Sequence, residues 1–263
     1  MIALFDSGIG GLTVLAALWR RLPQGDYLYL SDQEHFPYGD RPAADVRRDV
    51  ASFASLARRE GAQTLVLACN TASALALDAA ERAFGGPVHG VIAPVARGVG
   101  AVRRVGVLAT TNTCNTHAYR DAIAKPVFEV ACPGLIALAE SGGASSAEVA
   151  TEARAPLAEL RQANCDAVVL GCTHLPHFTA VLTELTSGWA RLYDPGEMLA
   201  TELARDLGTG DERGRVRCAT TGDPAIFRNR LATELPELAA AAATCALRRD
   251  ARGSLFVDEA CGG

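Results

Sequence analysis

Short apolar runs and longer amphipathic stretches alternate along almost the whole chain. The apolar runs predict β-strands over 2–5, 27–30, 64–68, 88–91, 105–108, 127–130, 167–170, 191–193 and 216–219. The alanine-rich amphipathic stretches between the first of these predict helices over 12–21, 42–59 and 71–83. Because strands that alternate with helices in this way are typical of βαβ units, we expect an α/β fold with mostly parallel sheets.

Two segments of the chain repeat one another without a gap. GAQTLVLACNTAS at 61–73 aligns with NCDAVVLGCTHLP at 164–176, and each carries a cysteine directly after a predicted strand, Cys69 and Cys172. The same offset of 103 residues aligns the strand end at 4–7 with the strand end at 107–110. We therefore predict two pseudo-symmetric α/β halves, with an active site in the cleft between them where the carboxyl ends of the strands meet.

The repeat also predicts where one half gives way to the other. The chain is expected to cross into the second half near Pro94 and to return over 194–207. The predicted domains are residues 1–93 plus 208–263 and residues 94–207, each with a mostly parallel sheet flanked by helices. The pattern assigns no structure to the tail after Arg248, and we expect that tail to be partly disordered.

The overall composition excludes several classes of partner. Hydrophobic residues make up 49% and charged residues 21% of the 263 residues, as in ordinary globular proteins. The formal net charge of −5 gives no electrostatic reason to expect binding to nucleic acid or an anionic membrane. No apolar run approaches the roughly 20 residues that span a bilayer. Since no export signal is visible either, we expect a cytoplasmic protein.

The cysteines and the single lysine limit which metal sites and cofactors this chain could use. None of the eight cysteines forms a CxxC pair, so we expect free thiols and no metal site. Lys125 is the only lysine, and it lies at no strand-end motif. An enzyme that uses pyridoxal phosphate needs a Schiff-base lysine, and a P-loop needs a lysine after glycine, so we expect no cofactor.

Two thiols at equivalent strand ends suggest a reaction that needs two equivalent bases. Each lies at the start of a predicted helix, where backbone N–H groups and the helix dipole should lower the thiol pKa. Racemisation fits this symmetry, because one base removes a Cα proton and the opposite group returns a proton to the other face.

Five blocks of sequence carry a resemblance to a known family. They are ALFDSGIGGLTVL, DQEHFPYGDRP, LVLACNTAS, VVLGCTHLP and TTGDPAIFRNRL, and they span Ala3 to Leu231. Together they resemble the cofactor-independent glutamate racemases of the aspartate/glutamate racemase superfamily. The resemblance implies two pseudo-symmetric α/β domains, interconversion of L- and D-glutamate, a role in supplying D-glutamate for peptidoglycan, and a homodimer, since members of this family are often dimers.

The resemblance also implies roles for individual residues. Cys69 matches the base that takes the proton from D-glutamate, assisted by Asp6, and Cys172 matches the one that acts on L-glutamate, assisted by His174. Further acidic groups near the site match Asp32 and Glu140. The positions that match contacts to the substrate carboxylates and ammonium are Ser7, Pro37, Tyr38, Gly39, Asn70, Thr71, Thr113 and Thr173.

One segment departs from the family pattern, and three alternative functions stay open. Where the family commonly has a Glu-Pro-Gly-like segment, this chain has VIAPVARG with Ala93 and Val95. The first alternative is a sister racemase that acts on aspartate or a hydantoin. The second is a lyase, decarboxylase or isomerase that uses a single thiol. The third is a non-catalytic protein that binds acidic amino acids.

Overall fold

A computed structural model describes residues 1–207 and 213–258. The strands are β1 (Ile2–Asp6), β2 (Tyr27–Ser31), β3 (Thr64–Leu67), β4 (Val88–Gly90), β5 (Val105–Ala109), β6 (Val127–Ala131), β7 (Ala167–Gly171), β8 (Arg191–Tyr193), β9 (Val216–Thr220), β10 (Ala242–Arg249) and β11 (Leu255–Val257). The helices are α1 (Leu12–Arg21), α2 (Ala43–Arg59), α3 (Asn70–Phe84), α4 (Ile92–Gly98), α5 (Thr111–Thr116), α6 (Ala118–Ala122), α7 (Pro133–Ser141), α8 (Ser146–Gln162), α9 (Thr179–Thr186), α10 (Pro195–Leu207), α11 (Pro224–Glu234) and α12 (Pro236–Ala239).

The first sheet has the strand order β11-β10-β9-β2-β1-β3-β4 and is parallel except for the edge pair β10 and β11. Every residue of its central strand β1 is buried, as expected for a parallel strand covered on both faces. Ala3 and Phe5 pack against α2 and α3, whereas Ile2 and Leu4 pack against α1 and α10 on the other face. This alternation follows from the two-residue repeat of a strand.

The second sheet is parallel throughout, with the order β6-β5-β7-β8. Val107 and Val169 pack towards α4 and α6 on one face. Leu108 and Leu170 pack towards α7 and α8 on the other face. The prediction of an α/β fold built from two mostly parallel, helix-flanked sheets is therefore confirmed.

The structure differs from the sequence prediction at three places along the first sheet, one of which is β10, a strand that was not predicted. The predicted strand over 88–91 ends at Gly90, because Val91 already has helical geometry as the N-cap of α4. The tail after Arg248, to which the sequence assigned no structure, contains a strand. This strand, β11, pairs with β10 and brings the buried Leu255 and Val257 against the sheet. The last five residues, 259–263, lie outside the described residues.

The prediction that all cysteines are free thiols fails at one position. Cys69, Cys114, Cys132, Cys165, Cys172 and Cys218 are free thiols, as predicted. Cys245, in β10, is disulfide-bonded, so the expectation of free thiols was wrong there. Cys261 lies outside the described residues. The sequence contains no CxxC or similar spacing that would have indicated this bond.

The two domain boundaries stay predictions. At the predicted return, Leu199 and Leu203 of α10 pack into the core of the first sheet. At the predicted crossing, Val95 of α4 is fully buried in the core of the second sheet. No helix within the described residues is long and apolar enough to cross a membrane.

We expect the core under β1 to dominate the stability of the first domain. Phe53 of α2 is fully buried, and its ring lies 4.8 Å from that of Phe5. Phe53→Ala should lower the free energy of unfolding by about 3–5 kcal/mol, because it removes buried area and leaves a cavity. The control is Phe256→Ala on the exposed face of β11, where the ring is 40% exposed and the loss should stay below about 1 kcal/mol. Urea unfolding measures both free energies, and equal losses in the two variants would contradict this description of the core.

Candidate active site

A cavity of about 220 Å³ lies where the carboxyl ends of the two sheets meet, and it contains both repeated cysteines. Residues 7, 36–40 and 69–71 line it from the first sheet, and residues 110–111, 133, 136, 137, 140 and 172–174 line it from the second. Of the residues singled out from sequence, those that line it are Ser7, Pro37, Tyr38, Gly39, Cys69, Asn70, Thr71, Glu140, Cys172, Thr173 and His174. Asp6, Asp32 and Thr113 lie behind this lining.

Cys69 follows β3 and is the N-cap residue of α3. Its Sγ accepts a hydrogen bond from the Ala72 N–H at 3.5 Å and lies 3.6 Å from Ser7 Oγ. The chain geometry explains this placement, because the N-cap side chain of a helix lies close to the unpaired N–H groups of its first turn. Only 6% of Cys69 is exposed.

Cys172 follows β7, in the equivalent place on the second sheet. Its Sγ lies 3.7 Å from Nδ1 of His174, which is itself buried. The imidazole packs beside the Phe36 ring, with centroids 5.8 Å apart. Nε2 of His174 has no hydrogen-bond partner among the described residues. The imidazole therefore has one nitrogen directed at the thiol and the other without a hydrogen-bond partner among the described residues.

Burial, rather than the helix N-terminus, controls the ionisation of the two thiols. It raises the pKa of Cys69 to about 11, and the nearby Asp6 carboxylate adds to this effect, while hydrogen bonds from Ala72 and Ser7 only partly oppose it. Burial likewise raises the pKa of Cys172 well above its usual range. The expectation of lowered thiol pKa values was therefore wrong for this substrate-free cavity. The sequence shows the helix start but not the depth of burial.

The two groups expected to assist the thiols are also shifted by burial. Burial raises the pKa of Asp6 to about 6 even though Gly8 and Gly11 donate backbone hydrogen bonds to its carboxylate. Burial lowers the pKa of His174 to about 4, and the charges of His177 and Arg230 lower it further. At neutral pH the imidazole is therefore uncharged and Asp6 is mostly ionised.

Asp6 ends β1 beneath the cavity and connects the two domains. One carboxylate oxygen accepts the Gly8 N–H at 2.9 Å, and the other accepts the hydroxyl of Thr173 at 3.3 Å. Thr173 comes directly after Cys172, so the carboxylate holds the turn that carries the second thiol. A fully buried charge needs such partners, because an unpaired one would be costly.

Two glycines in the loop after β1 allow the domains to approach this closely. A Cβ at Gly10 would lie 2.5 Å from Thr173 Oγ1 and 2.8 Å from Cε1 of His174. A Cβ at Gly11 would lie 2.6 Å from Cβ of Asp6. All three distances are too short for a Cβ, so Gly10 leaves the space into which Thr173 and His174 of the second domain fit, and Gly11 leaves the space that the Asp6 side chain occupies.

The Pro37-Tyr38-Gly39 turn covers one side of the cavity and is held from below. The Tyr38 hydroxyl donates to Asp32 at 2.7 Å, and the buried Asp32 carboxylate also lies 3.0 Å from Nδ1 of His35. From the second domain, Nδ2 of Asn112 donates to the Tyr38 and Arg41 carbonyl groups at 2.9 and 2.8 Å. Asp32 therefore supports the turn from behind rather than facing the cavity.

The structure offers little support for a metal ion. Within the described part of the chain, one group of potential ligands lies close together, formed by Asp32, Glu34 and His35. The carboxylate of Asp32 already binds Tyr38 and His35, and Thr221 donates to it at 3.3 Å. Since its oxygens are occupied, the group is better described as a hydrogen-bonded network than as a cation site.

Three threonine hydroxyls join the domains on the side of Cys69. Thr71 Oγ1 lies 2.9 Å from Thr110 Oγ1 and 3.2 Å from Thr113 Oγ1. Thr110 in turn accepts a hydrogen bond from the Thr113 N–H at the start of α5. Thr113 is fully buried behind the other two, so it orients them without lining the cavity.

The described cavity lining has acidic side chains and the uncharged His174, but no arginine or lysine. The charged groups that line it are Asp40 and Glu140, and no arginine or lysine is among the described residues that do so. Burial and the nearby Asp40 raise the pKa of Glu140. A ligand carboxylate would therefore have to be bound by neutral donors, namely backbone N–H groups, hydroxyls and an amide.

Sequence reasoning missed several lining residues. They are Phe36, Asp40, Thr110, Thr111, Pro133, Ile136 and Ala137. A signal existed for Thr110, since the 103-residue offset aligns it with Ser7. No such signal existed for the missed residues on α7, because a helix face that borders a cavity has the same apolar pattern as a helix face that packs in a core.

The fold and the site together define a two-domain α/β protein with a thiol from each domain in one interdomain cavity. The family model for Asp/Glu/hydantoin racemase matches residues 13–203. A glutamate racemase from Gloeobacter violaceus is 39% identical over 86% of this chain and 89% of its own length. The chain belongs to the Asp/Glu/hydantoin racemase family.

Comparison with solved structures also finds members of this family. A glutamate racemase isoform from Bacillus anthracis matches with a TM-score of 0.84 and 30% identity, over 90% of this chain and 94% of that one. A glutamate racemase from Francisella tularensis, solved in complex with D-glutamate, matches with a TM-score of 0.82 and 29% identity, over 89% of this chain and 93% of that one.

Gly10→Ala should reduce turnover because the new methyl group pushes the turn at Thr173 and His174 away from the first domain. We expect kcat/KM to fall about ten- to a hundredfold, as for other small misplacements of reacting groups. The control is Gly253→Ala, where φ is +79° and nothing lies within 4 Å of the added Cβ. That variant should lose about 1–2 kcal/mol of stability and keep its activity. Full activity of Gly10→Ala would contradict the proposed close approach.

Asp6→Asn should make stability less dependent on pH. The folded protein raises the pKa of Asp6 from 3.8 to about 6, so its ionisation costs stability as pH rises between these values and costs about 3 kcal/mol at pH 7.5. The variant lacks this cost, and its stability relative to the parent should therefore be higher at pH 7.5 than at pH 5 by roughly 1–2 kcal/mol.

Urea unfolding at the two pH values measures this difference. The exposed Asp206→Asn, which removes a carboxylate at the surface, serves as the control. If Asp6→Asn gave the same change at both pH values, the carboxylate would not be ionising against its burial.

Proposed function

We propose that this protein interconverts L- and D-glutamate without a cofactor, with Cys69 and Cys172 as its two bases. The observation that carries the proposal is that two thiols end equivalent strands of two similar sheets and line one cavity. Glutamate is the substrate in the names of the relatives, and the Francisella tularensis structure contains D-glutamate. The family resemblance further predicts supply of D-glutamate to peptidoglycan and a homodimer, and the cytoplasmic location stays a prediction from the sequence.

The reaction moves one proton off Cα and another onto it. With D-glutamate bound, the Cys69 thiolate takes the Cα proton, and the Cys172 thiol gives its proton to the opposite face to form L-glutamate. With L-glutamate bound, the two cysteines exchange roles. Each turnover therefore leaves the first base protonated and the second as thiolate, and charge is conserved.

The raised thiol pKa values explain why the substrate must take part in activation. A thiolate in the empty cavity would be a buried charge with weak hydrogen bonds, which accounts for the pKa of about 11 at Cys69. The substrate brings an ammonium group into the same cavity. Because an opposite charge nearby favours the charged form, we expect the thiolate to form in the complex rather than in the free protein.

Neutral donors must stabilise the carbanion-like transition state. Removing the Cα proton moves negative charge onto the adjacent carboxylate, and no arginine or lysine is among the described lining residues to receive it. Ser7, Asn70 and Thr71 line the cavity and provide hydroxyl and amide donors, whereas the hydroxyl of Thr173 already donates to Asp6. Donors that are already oriented can stabilise this charge without reorganising during the reaction.

The paired thiols favour a racemase over the alternatives. A lyase, decarboxylase or isomerase that uses a single thiol would have no need for the second cysteine at the equivalent strand end. A non-catalytic binder would have no need for either thiol. Aspartate and hydantoin remain the competing substrates within the same mechanism, and turnover of the three compounds distinguishes them.

Incubation with L-glutamate in D₂O, without pyridoxal phosphate, tests the two-base mechanism. At early times the D-glutamate formed should carry deuterium at Cα, while the remaining L-glutamate stays unlabelled, because the proton leaves to one thiol and deuterium arrives from the other. Mass spectrometry of the separated enantiomers measures this distribution. Early deuterium in the remaining L-glutamate would instead indicate a single exchanging base.

Cysteine variants assign the two bases in the same assay. Cys69→Ala and Cys172→Ala should each lower kcat for racemisation by at least about a thousandfold, since each removes one half of the proton transfer. Cys218→Ala is the matched control, because Cys218 is a fully buried free thiol that does not line the cavity. Racemisation that survives in either of the first two variants would contradict the proposed mechanism.

A further inference from the structure

We propose that Tyr119 is a positioning residue that fixes the amide of Asn70 so that its N–H groups, rather than its oxygen, face the substrate. The inference rests on the proposed function and adds a determinant of carboxylate recognition. The observation behind it is one hydrogen bond between the two domains, in which the Tyr119 hydroxyl donates to Asn70 Oδ1 at 2.6 Å.

Tyr119 is held rigidly on the side of the second domain. It lies in the short helix α6, is fully buried, and packs in the core that contains Val95, Val107 and Val169. A large aromatic side chain enclosed in this way has little freedom to move its hydroxyl group. The hydroxyl therefore occupies a fixed point at the edge of the first domain.

The direction of the hydrogen bond follows from the surroundings of Tyr119. Burial, the nearby Asp194 carboxyl and Cys172 raise the pKa of Tyr119 well above 10, so the phenol keeps its proton. If the amide of Asn70 were turned around, its Nδ2 would donate to the phenol oxygen, and the buried phenol hydrogen would lose its acceptor. An unpaired buried donor is unfavourable, so the arrangement with Oδ1 as acceptor is the one selected.

The consequence lies on the other side of the amide. Asn70 lines the cavity, and with Oδ1 bound to Tyr119 its Nδ2 is the polar end left for a ligand. Asn70 directly follows Cys69 at the start of α3, so this donor lies beside one of the two bases. In a cavity without an arginine or lysine among the described lining, each correctly oriented N–H donor matters for binding a carboxylate.

Tyr119→Phe removes the hydroxyl with little change in volume. The freed amide can then turn its oxygen to the cavity, which repels a carboxylate. We expect KM to rise about tenfold for both enantiomers, the size expected for loss of one hydrogen bond to a charged group, with a smaller change in kcat. Tyr193→Phe is the matched control, because its half-buried hydroxyl binds the Val99 carbonyl and the residue does not line the cavity. It should leave KM unchanged.

A double-mutant cycle with Asn70→Ala separates positioning from a structural effect. If Tyr119 acts through the amide, Tyr119→Phe should not weaken glutamate binding further once Asn70 is alanine. Titration calorimetry with racemic glutamate gives the dissociation constants even where turnover is slow. The proposal would be overturned if the two substitutions weakened glutamate binding independently, so that their effects on the dissociation constant multiplied in the double variant. An unchanged KM in Tyr119→Phe would also overturn it.

The wild-type protein distinguishes this proposal from the proposed function. If it does not racemise glutamate, the proposed function fails before any variant is compared. If it does, and Tyr119→Phe behaves like Tyr193→Phe, only the positioning role fails. Equal thermal unfolding midpoints of the two variants would show that any change in KM does not arise from a loss of folding.

Discussion

The contact between the buried carboxylate of Asp6 and the hydroxyl of Thr173 joins the two domains at the point where the site forms. It is possible because Gly10 has no Cβ that would keep the turn at Thr173 and His174 away. Since the carboxylate is fully buried, its partners must stay in place to offset the cost of its charge. The placement of the second thiol therefore depends on an ionised group of the other domain.

The same closeness buries both thiols, and burial has two opposite effects on the chemistry. It raises the pKa of Cys69 to about 11 and that of Cys172 well above its usual range, which opposes the thiolates that the reaction needs. It also strengthens every electrostatic interaction between the substrate ammonium and the thiolate, and between neutral donors and the developing carbanion. We infer that both thiols are neutral in the free protein and that the ammonium group of bound glutamate favours ionisation of one of them.

Much of the fold was predictable from sequence because it depends on local patterns. The apolar runs of β1, β3, β5 and β7 mark fully buried parallel strands, and the internal repeat placed Cys69 and Cys172 at equivalent strand ends. The strand β10 was missed, because its alanine-rich segment has no strong strand pattern and gains its structure by pairing with β9. Local sequence preference is overridden there by a long-range contact.

The parts of the site that sequence could not predict depend on how deeply groups are buried and how the domains meet. Asp32 was expected near the substrate but lies behind Tyr38, since the register of the turn places the tyrosine between them. The thiol pKa values depend on burial from both domains. Tyr119 gave no signal, because a single aromatic residue in a short helix is typical of any core.

A crystal structure with glutamate bound tests the central claim most directly, because it shows whether the two thiols lie on opposite faces of one carbon atom. The account predicts that Cα lies between the sulfurs of Cys69 and Cys172, about 3.5 Å from each, with its carboxylate held by neutral donors. A complex in which both sulfurs lie on the same side of Cα, or in which one is far from it, would contradict the two-base mechanism.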